Sequence, residues 1–126
     1  MPRVASIVRR QTMVFIMEEK RRYPRVNLQT PLRYQFLGRP ESVAAVANNV
    51  SLGGIGLVDN QFIPPSSLLQ LQISFLSCAI NATGRVTWSA PLPHSDRYRS
   101  GVEFVNLSQK DKLCLADYID MQMVEV

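Results

Sequence analysis

Histidine occurs once, tryptophan once and cysteine twice in these 126 residues, and each scarcity closes off a class of chemistry. The lone histidine, His94, lies between a proline-rich turn and Ser95-Asp96. Acid–base catalysis would need a second, oriented group, and the sequence offers none, so a loop histidine is the expectation. No cluster of His, Cys and carboxylates has metal-ligand spacing, so no metal is expected. Gly53-Gly54-Ile55-Gly56 is not GxGxxG, no GxxxxGK[ST] occurs, and Ser51 lacks the GxSxG frame of a nucleophile elbow. The chain therefore reads as a non-enzyme with no cofactor. Cys78 and Cys114 stand far apart and outside any CxxC spacing. They read as small buried or half-buried apolar residues in a reducing compartment, in preference to a disulfide. Long apolar runs are missing too, and Met13 to Met17 is too short for a signal-peptide core. The expectation is a cytoplasmic protein with no stable membrane insertion.

What is present is one domain's worth of chain, 46% apolar, long enough to close a single core. The net charge of +4 is unevenly spread. Residues 1 to 25 hold seven Lys/Arg against Glu18 and Glu19, whereas residues 26 to 126 hold seven against eight Asp/Glu. An anionic partner should meet the N-terminal arm first, by an attraction that salt weakens. Met17-Glu18-Glu19-Lys20 would itself make a natural chain start, so residues 1–17 are read as an extension and 18–126 as the domain.

Patterning predicts a mainly β chain. Leu32 to Leu37 alternates as a strand with Leu32, Tyr34 and Phe36 on one side, after a lead-in from Val26 to Pro31. Ser42 to Val50 and Ile55 to Val58 follow. Leu68 to Phe75 is the clearest strand, its apolar residues alternating with Gln70, Gln72 and Ser74. Cys78 to Ser89 and Tyr98 to Val105 complete six short strands, a spacing that suits antiparallel hairpins closed into a barrel. Ser108-Gln109-Lys110-Asp111 resembles a capping box with Leu107 as its staple. It opens a helix in which Leu113, Leu115, Ala116, Tyr118, Ile119 and Met123 keep a helical spacing, expected to cover one opening or side of the barrel.

Two stretches carry the chemistry. Lys20-Arg21-Arg22-Tyr23-Pro24-Arg25 places arginines on an extended segment bent at Pro24. Their planar forks match phosphate oxygens and the O6/N7 edge of guanine. Asn49-Val50-Ser51-Leu52-Gly53-Gly54 puts Asn49 and Ser51 on one side of a strand end and follows them with glycines that permit a sharp turn or a close approach. Arg21-x-x-x-Arg25 followed by Asn49-x-Ser51-x-x-Gly54 resembles the paired RxxxR and [D/N]xSxxG motifs of PilZ domains, bacterial receptors for cyclic di-GMP. Gly84 to Trp88, Gly101 to Phe104 and the closing helix extend the resemblance over roughly residues 18 to 123.

The resemblance implies a six-stranded antiparallel PilZ-type β-barrel with a C-terminal α-helix, cyclic di-GMP as ligand, and motility, biofilm matrix production or secretion as output. It assigns Arg21, Arg25, Asn49, Ser51 and Gly54 to ligand binding, with Asn49 accepting from the guanine N1/N2 edge. Lys20, Arg22, Gly53 and Trp88 are further candidate contacts. For Trp88, stacking on a base is set against core packing beside Val86, which the alternation favours. Binding would order the arm and alter the surface seen by a downstream protein partner. The competing readings are a PilZ-fold interaction module that binds no nucleotide and a small basic barrel for single-stranded nucleic acid. Charge confined to one arm argues against the latter, so no nucleic acid is expected.

Overall fold

The computed structural model describes residues 23–123, so the extension at residues 1–17 falls outside the description. Six strands follow one another: β1 Val26–Phe36, β2 Val43–Ser51, β3 Gly54–Asp59, β4 Leu68–Ser74, β5 Ala79–Pro91 and β6 Tyr98–Leu107. They pair antiparallel in the order β1-β2-β3-β6-β5-β4 and close into a barrel, as the expected fold class requires. Period-two patterning is the cause. In β4, Leu69, Leu71 and Ile73 are buried while Leu68, Gln70, Gln72 and Ser74 face out. The same alternation brings Leu32, Val50, Ile55, Leu57, Ile80 and Val86 into one core. Each buried Val, Leu or Ile side chain contributes about 1.5–3 kcal/mol.

β1 begins earlier than expected, at Val26. A register shift lies between Asn27 and Thr30, yet Val26, Leu28, Thr30, Leu32 and Tyr34 keep the inward side throughout, and Pro31 follows the shift. Pro31 pairs with Val46 on one side, while pairing with β4 begins only at Leu32 opposite Ile73. A residue lacking an N–H is tolerated at such a one-sided position. Where β1 and β4 part, the Thr30 hydroxyl donates to the Ser74 carbonyl.

The helix α1, Gln109–Met123, lies against β5, β1 and β2 at the barrel end that also holds the β2–β3 turn. Ser108 caps it through the Asp111 N–H, at 3.1 Å. The Asp111 carboxylate does not return to Ser108 but accepts from the Asn81 N–H at 3.1 Å, tying the first turn to β5. Leu115 and Ile119 are buried and Tyr118 packs on Phe75 with ring centroids 4.6 Å apart. Leu113 and Met123, expected on the apolar face, are instead more than half exposed, because the buried seam is a single i, i+4 stripe.

The cysteines need a larger correction. Cys78 and Cys114 form a disulfide, with Cα atoms 6.6 Å apart across a sequence separation of 36. The β4–β5 turn and the returning helix bring together what linear distance kept apart. The reading of these residues as thiols is overturned, and with it the argument from cysteine usage for a reducing compartment. Among the described residues no helix is long and apolar enough to cross a membrane.

At the opposite end, the Tyr34 hydroxyl donates to the buried Asp59 carboxylate and accepts from Gln61 Nε2 at 3.2 Å. Burial first, then the hydrogen bond and charge of Asp59, push the Tyr34 phenol well above its ordinary value of 10.0, while the Gln61 bond pulls it partly back. The unfolded chain loses this proton near pH 10 and the folded chain keeps it. The stabilisation is complete below that pH and is lost above it, by up to about 1.4 kcal/mol per pH unit. Urea unfolding between pH 8 and 11 should show this decline. Tyr34→Phe should flatten it and, by removing a donor from a buried carboxylate, cost about 1–3 kcal/mol at pH 7.

Candidate functional site

Strand register explains why two stretches distant in sequence meet. β1 starts where β2 ends: Val26 lies opposite Val50 and Asn27 opposite Asn49. Arg25, one residue ahead of β1, is thereby delivered to the last turn of the β2 edge. Its Nη1 donates to Asn49 Oδ1 across 24 residues. The Asn49 amide is held from its other end too, since Nδ2 donates to Asn48 Oδ1 at 3.1 Å. The carbonyl oxygen therefore faces the arginine, and the asparagine presents its acceptor to the arm side.

Ser51 and Gly54 frame the β2–β3 turn as directly paired residues. Ser51 is only 3% exposed, and its oxygen accepts from the Gly53 N–H at 3.1 Å, so its hydroxyl braces the turn. The Gly53 carbonyl accepts from Phe104 N–H at 2.9 Å, fixing the turn to β6. Neither Gly53 nor Gly54 has positive φ, so the turn itself does not demand glycine there. Space does. A β-carbon on Gly54 would overlap the Val102 carbonyl oxygen and stand 3.1 Å from Glu103 Cα, both backbone atoms of β6. A β-carbon on Gly53 would instead come 2.8 Å from the edge of the Tyr23 ring, which is 42% exposed and lies over the turn.

Trp88 is exposed, not in the core. Val86 pairs with Val102, Trp88 with Gly101, and Thr87 is the extra residue between them. This bulge reverses the alternation, so Trp88 turns outward while Val86 stays buried. The indole is 44% exposed and the Arg99 guanidinium carbon sits 5.9 Å from its ring centroid. The register then lines up Asn49, Gly56, Gly101 and Trp88 across β2, β3, β6 and β5. A β-carbon on Gly56 would stand 2.6 Å from Asn49 Nδ2, and one on Gly101 would run into the Trp88 indole, 2.7 Å from Cε2. Both glycines thus share the outer face with the side chains beside them.

The result is a row about 14 Å long across four strands, given strand spacings of about 4.8 Å, in which both glycines are buried beneath the Asn49 and Trp88 side chains beside them. The Arg25–Asn49 pair stands at one end and the Trp88–Arg99 pair at the other. The chemistry on show is an aromatic face, an amide acceptor, and a guanidinium group at each end, a set that suits a flat, polar-edged ring carrying an anion. Sequence reasoning did not place Gly56, Gly101, Asn48 or Arg99 beside Asn49 and Trp88. Gly101 entered only through the family layout, and the adjacency of the four exists only once four strands are in register.

A cavity of about 400 Å³ opens beside the turn between Tyr23, Leu52, Gly53, Glu103, Phe104 and Lys112. Glu103 is held there by Arg85 at 2.6 Å. Lys20, Arg21 and Arg22 lie outside the described residues. Among the described residues no group of three or more His, Cys, Asp or Glu side chains could hold a metal ion.

A model of the PilZ domain matches residues 19–121. A curated protein of Aquifex aeolicus, uncharacterized by name, is 24% identical over 109 residues, covering 86% of this chain and 52% of the relative. The structure of the Bacillus subtilis inhibitor of motility (MotI/DgrA) superposes with a TM-score of 0.73 at 22% identity, over 84% of this chain and 53% of that one. The PilZ domain with c-di-GMP of YcgR from Escherichia coli superposes with a TM-score of 0.65 at 15% identity, over 82% of this chain and 92% of the domain. The chain spans about half the length of the Aquifex and Bacillus relatives.

Proposed function

The chain belongs to the PilZ domain family, and from that premise we propose that it is a cyclic di-GMP receptor whose arginine arm closes over the ligand on the outer barrel surface. The observation that carries the reading is the Arg25–Asn49 hydrogen bond, which unites the two motifs at one point of the surface. In the complex the forks of Arg21 and Arg25 grip phosphate oxygens and a guanine O6/N7 edge, and the Asn49 carbonyl accepts from guanine N1/N2. Ser51 adds its contact to the same base only as the Gly53 turn gives way, and the exposed face of Trp88 stacks on a base. Lys20 and Arg22 add charge at the phosphates. Closing the arm over the Gly53 turn changes the surface offered to a downstream protein, and the output is control of motility or biofilm in the cytoplasm.

The E. coli relative of similar fold is described with c-di-GMP bound, which supports this reading over the nucleotide-free interaction module. Calorimetry with cyclic di-GMP decides between them, since absence of heat and of chemical-shift change at micromolar protein would favour the module.

Gly56→Ala separates recognition from folding. The nearest atoms to its β-carbon belong to the Asn49 and Asn48 side chains, the latter at 2.8 Å, so the amide must turn and forfeit its orientation. Affinity should fall about five- to tenfold, about 1–1.4 kcal/mol, with little change in melting temperature. Unchanged affinity would remove Asn49 from the ligand contacts.

A further inference from the structure

The disulfide lies apart from the Arg25–Asn49 and Trp88–Arg99 pairs, where nothing in the receptor reading uses it. Cys78 closes the tight β4–β5 turn, its carbonyl accepting from Phe75 N–H at 2.7 Å. Leu76 and Ser77 of that turn are exposed, as is Leu113 beside Cys114, and both cysteines are half-buried. The bond is therefore half-buried at the rim of the core, and the exposed Leu76-Ser77 turn beside Cys78 is the side from which a thiolate in solution reaches it. Disulfides open to solvent on one side are the more exchangeable ones. With Cα atoms 6.6 Å apart, the two positions are close enough to rejoin without backbone movement.

The helix carrying Cys114 has few other holds. They are the buried pair Leu115 and Ile119, the Tyr118–Phe75 contact and the Asn81–Asp111 hydrogen bond. Leu113, Met121 and Met123 face outward at 57%, 71% and 53% exposure and add no packing. Removing the covalent tie removes a large share of what keeps α1 seated.

The geometry points to Cys78–Cys114 as a thiol–disulfide exchange site whose reactants are dithiol reductants and, in reverse, small-molecule disulfides, with its state setting how firmly α1 is held over the barrel end. A thiolate of the dithiol attacks Sγ of Cys78 in the open turn. The S–S bond breaks and its electron pair leaves with Cys114 as a thiolate. The second thiolate of the same dithiol then displaces Cys78, closing the reductant into its own disulfide. Two electrons have passed to the protein, and each cysteine sulfur takes up one proton. Lys112, two residues before Cys114, lines the cavity shared with Tyr23 and Gly53, so a looser helix is felt at the root of the arginine arm.

The test uses the full chain equilibrated in oxidised or reduced dithiothreitol. Alkylated thiols are counted by mass, and hydrogen exchange is followed in α1, with β3 as an internal reference. Reduction should expose two alkylatable thiols and speed exchange in residues 109–123 at least tenfold while β3 is unchanged. Oxidised glutathione should restore both readings. Cys78→Ser should show the fast helix without any reductant. Two free thiols persisting in oxidised glutathione, or equal helix exchange before and after reduction, would overturn the proposal. Neither reading depends on cyclic di-GMP, so the receptor assignment can fail while this one stands.

Discussion

Arg21→Ala/Arg25→Ala should bind cyclic di-GMP at least a hundredfold more weakly than the wild type. Each truncation removes a charge-assisted, two-pronged contact worth at least about 1.4 kcal/mol, a tenfold change, and the pair together remove about 2.7 kcal/mol. Stability should hardly move. Arg25 is exposed, its bond to Asn49 is made at the surface, and a hydrogen bond so placed adds well under 1 kcal/mol to folding. The contrast between lost affinity and retained melting temperature is the signature of a ligand contact. Arg25→Lys sharpens the test, because lysine keeps the charge but not the fork; it should recover only part of the affinity, and that part should vanish at high salt. Calorimetry at two ionic strengths measures both variants and the wild type. Equal binding by the double variant and the wild type would end the arm's assignment.

How much of this was legible beforehand depended on whether a feature is local or arises from pairing. The period of two in Leu68 to Ser74 names a strand and its buried face without reference to any neighbour, and that face is the one found buried. The Ser108 cap was equally readable, since its partner is three residues away. A bulge defeated the same logic once: the extra residue at Thr87 turned Trp88 outward when alternation put it beside Val86 in the core. In β1 the alternation runs unbroken from Val26, and Pro31 was what made its first half read as a lead-in. The family motifs supplied the Arg25–Asn49 neighbourhood, but only cross-strand register reveals that Gly56 and Gly101 lie between Asn49 and Trp88. The disulfide was illegible for a related reason: no pattern in the sequence states that a turn and a helix 36 residues on will touch.

Gly54 shows the same division, and Gly54→Ala should carry the largest stability loss of the glycine substitutions, about 3 kcal/mol. The motif gives glycine at this position, and the obvious reason, a turn conformation closed to other residues, does not apply because its φ is not positive. Gly54 pairs directly with Glu103, and its missing side chain is what lets β3 lie against β6 at Val102. A methyl there cannot be relieved by rotating a neighbour, because the atoms it meets are the Val102 carbonyl and the Glu103 backbone. The strands must part, which sacrifices ladder hydrogen bonds beside Ile55 and Val102, both in the core. Overpacking of this kind costs about 1–3 kcal/mol, and a backbone obstacle places it at the upper end. For a domain this size that is a fall of about 12 °C in Tm. Gly53→Ala is the matched control: its β-carbon meets only the half-exposed Tyr23 ring, which can swing away, so the loss should stay under about 1 kcal/mol. Thermal melts of the two variants distinguish a glycine kept for the barrel from one kept for the arm. Similar small losses in both would mean that β3 and β6 separate more easily than their register implies, and that Gly54 serves the ligand alone.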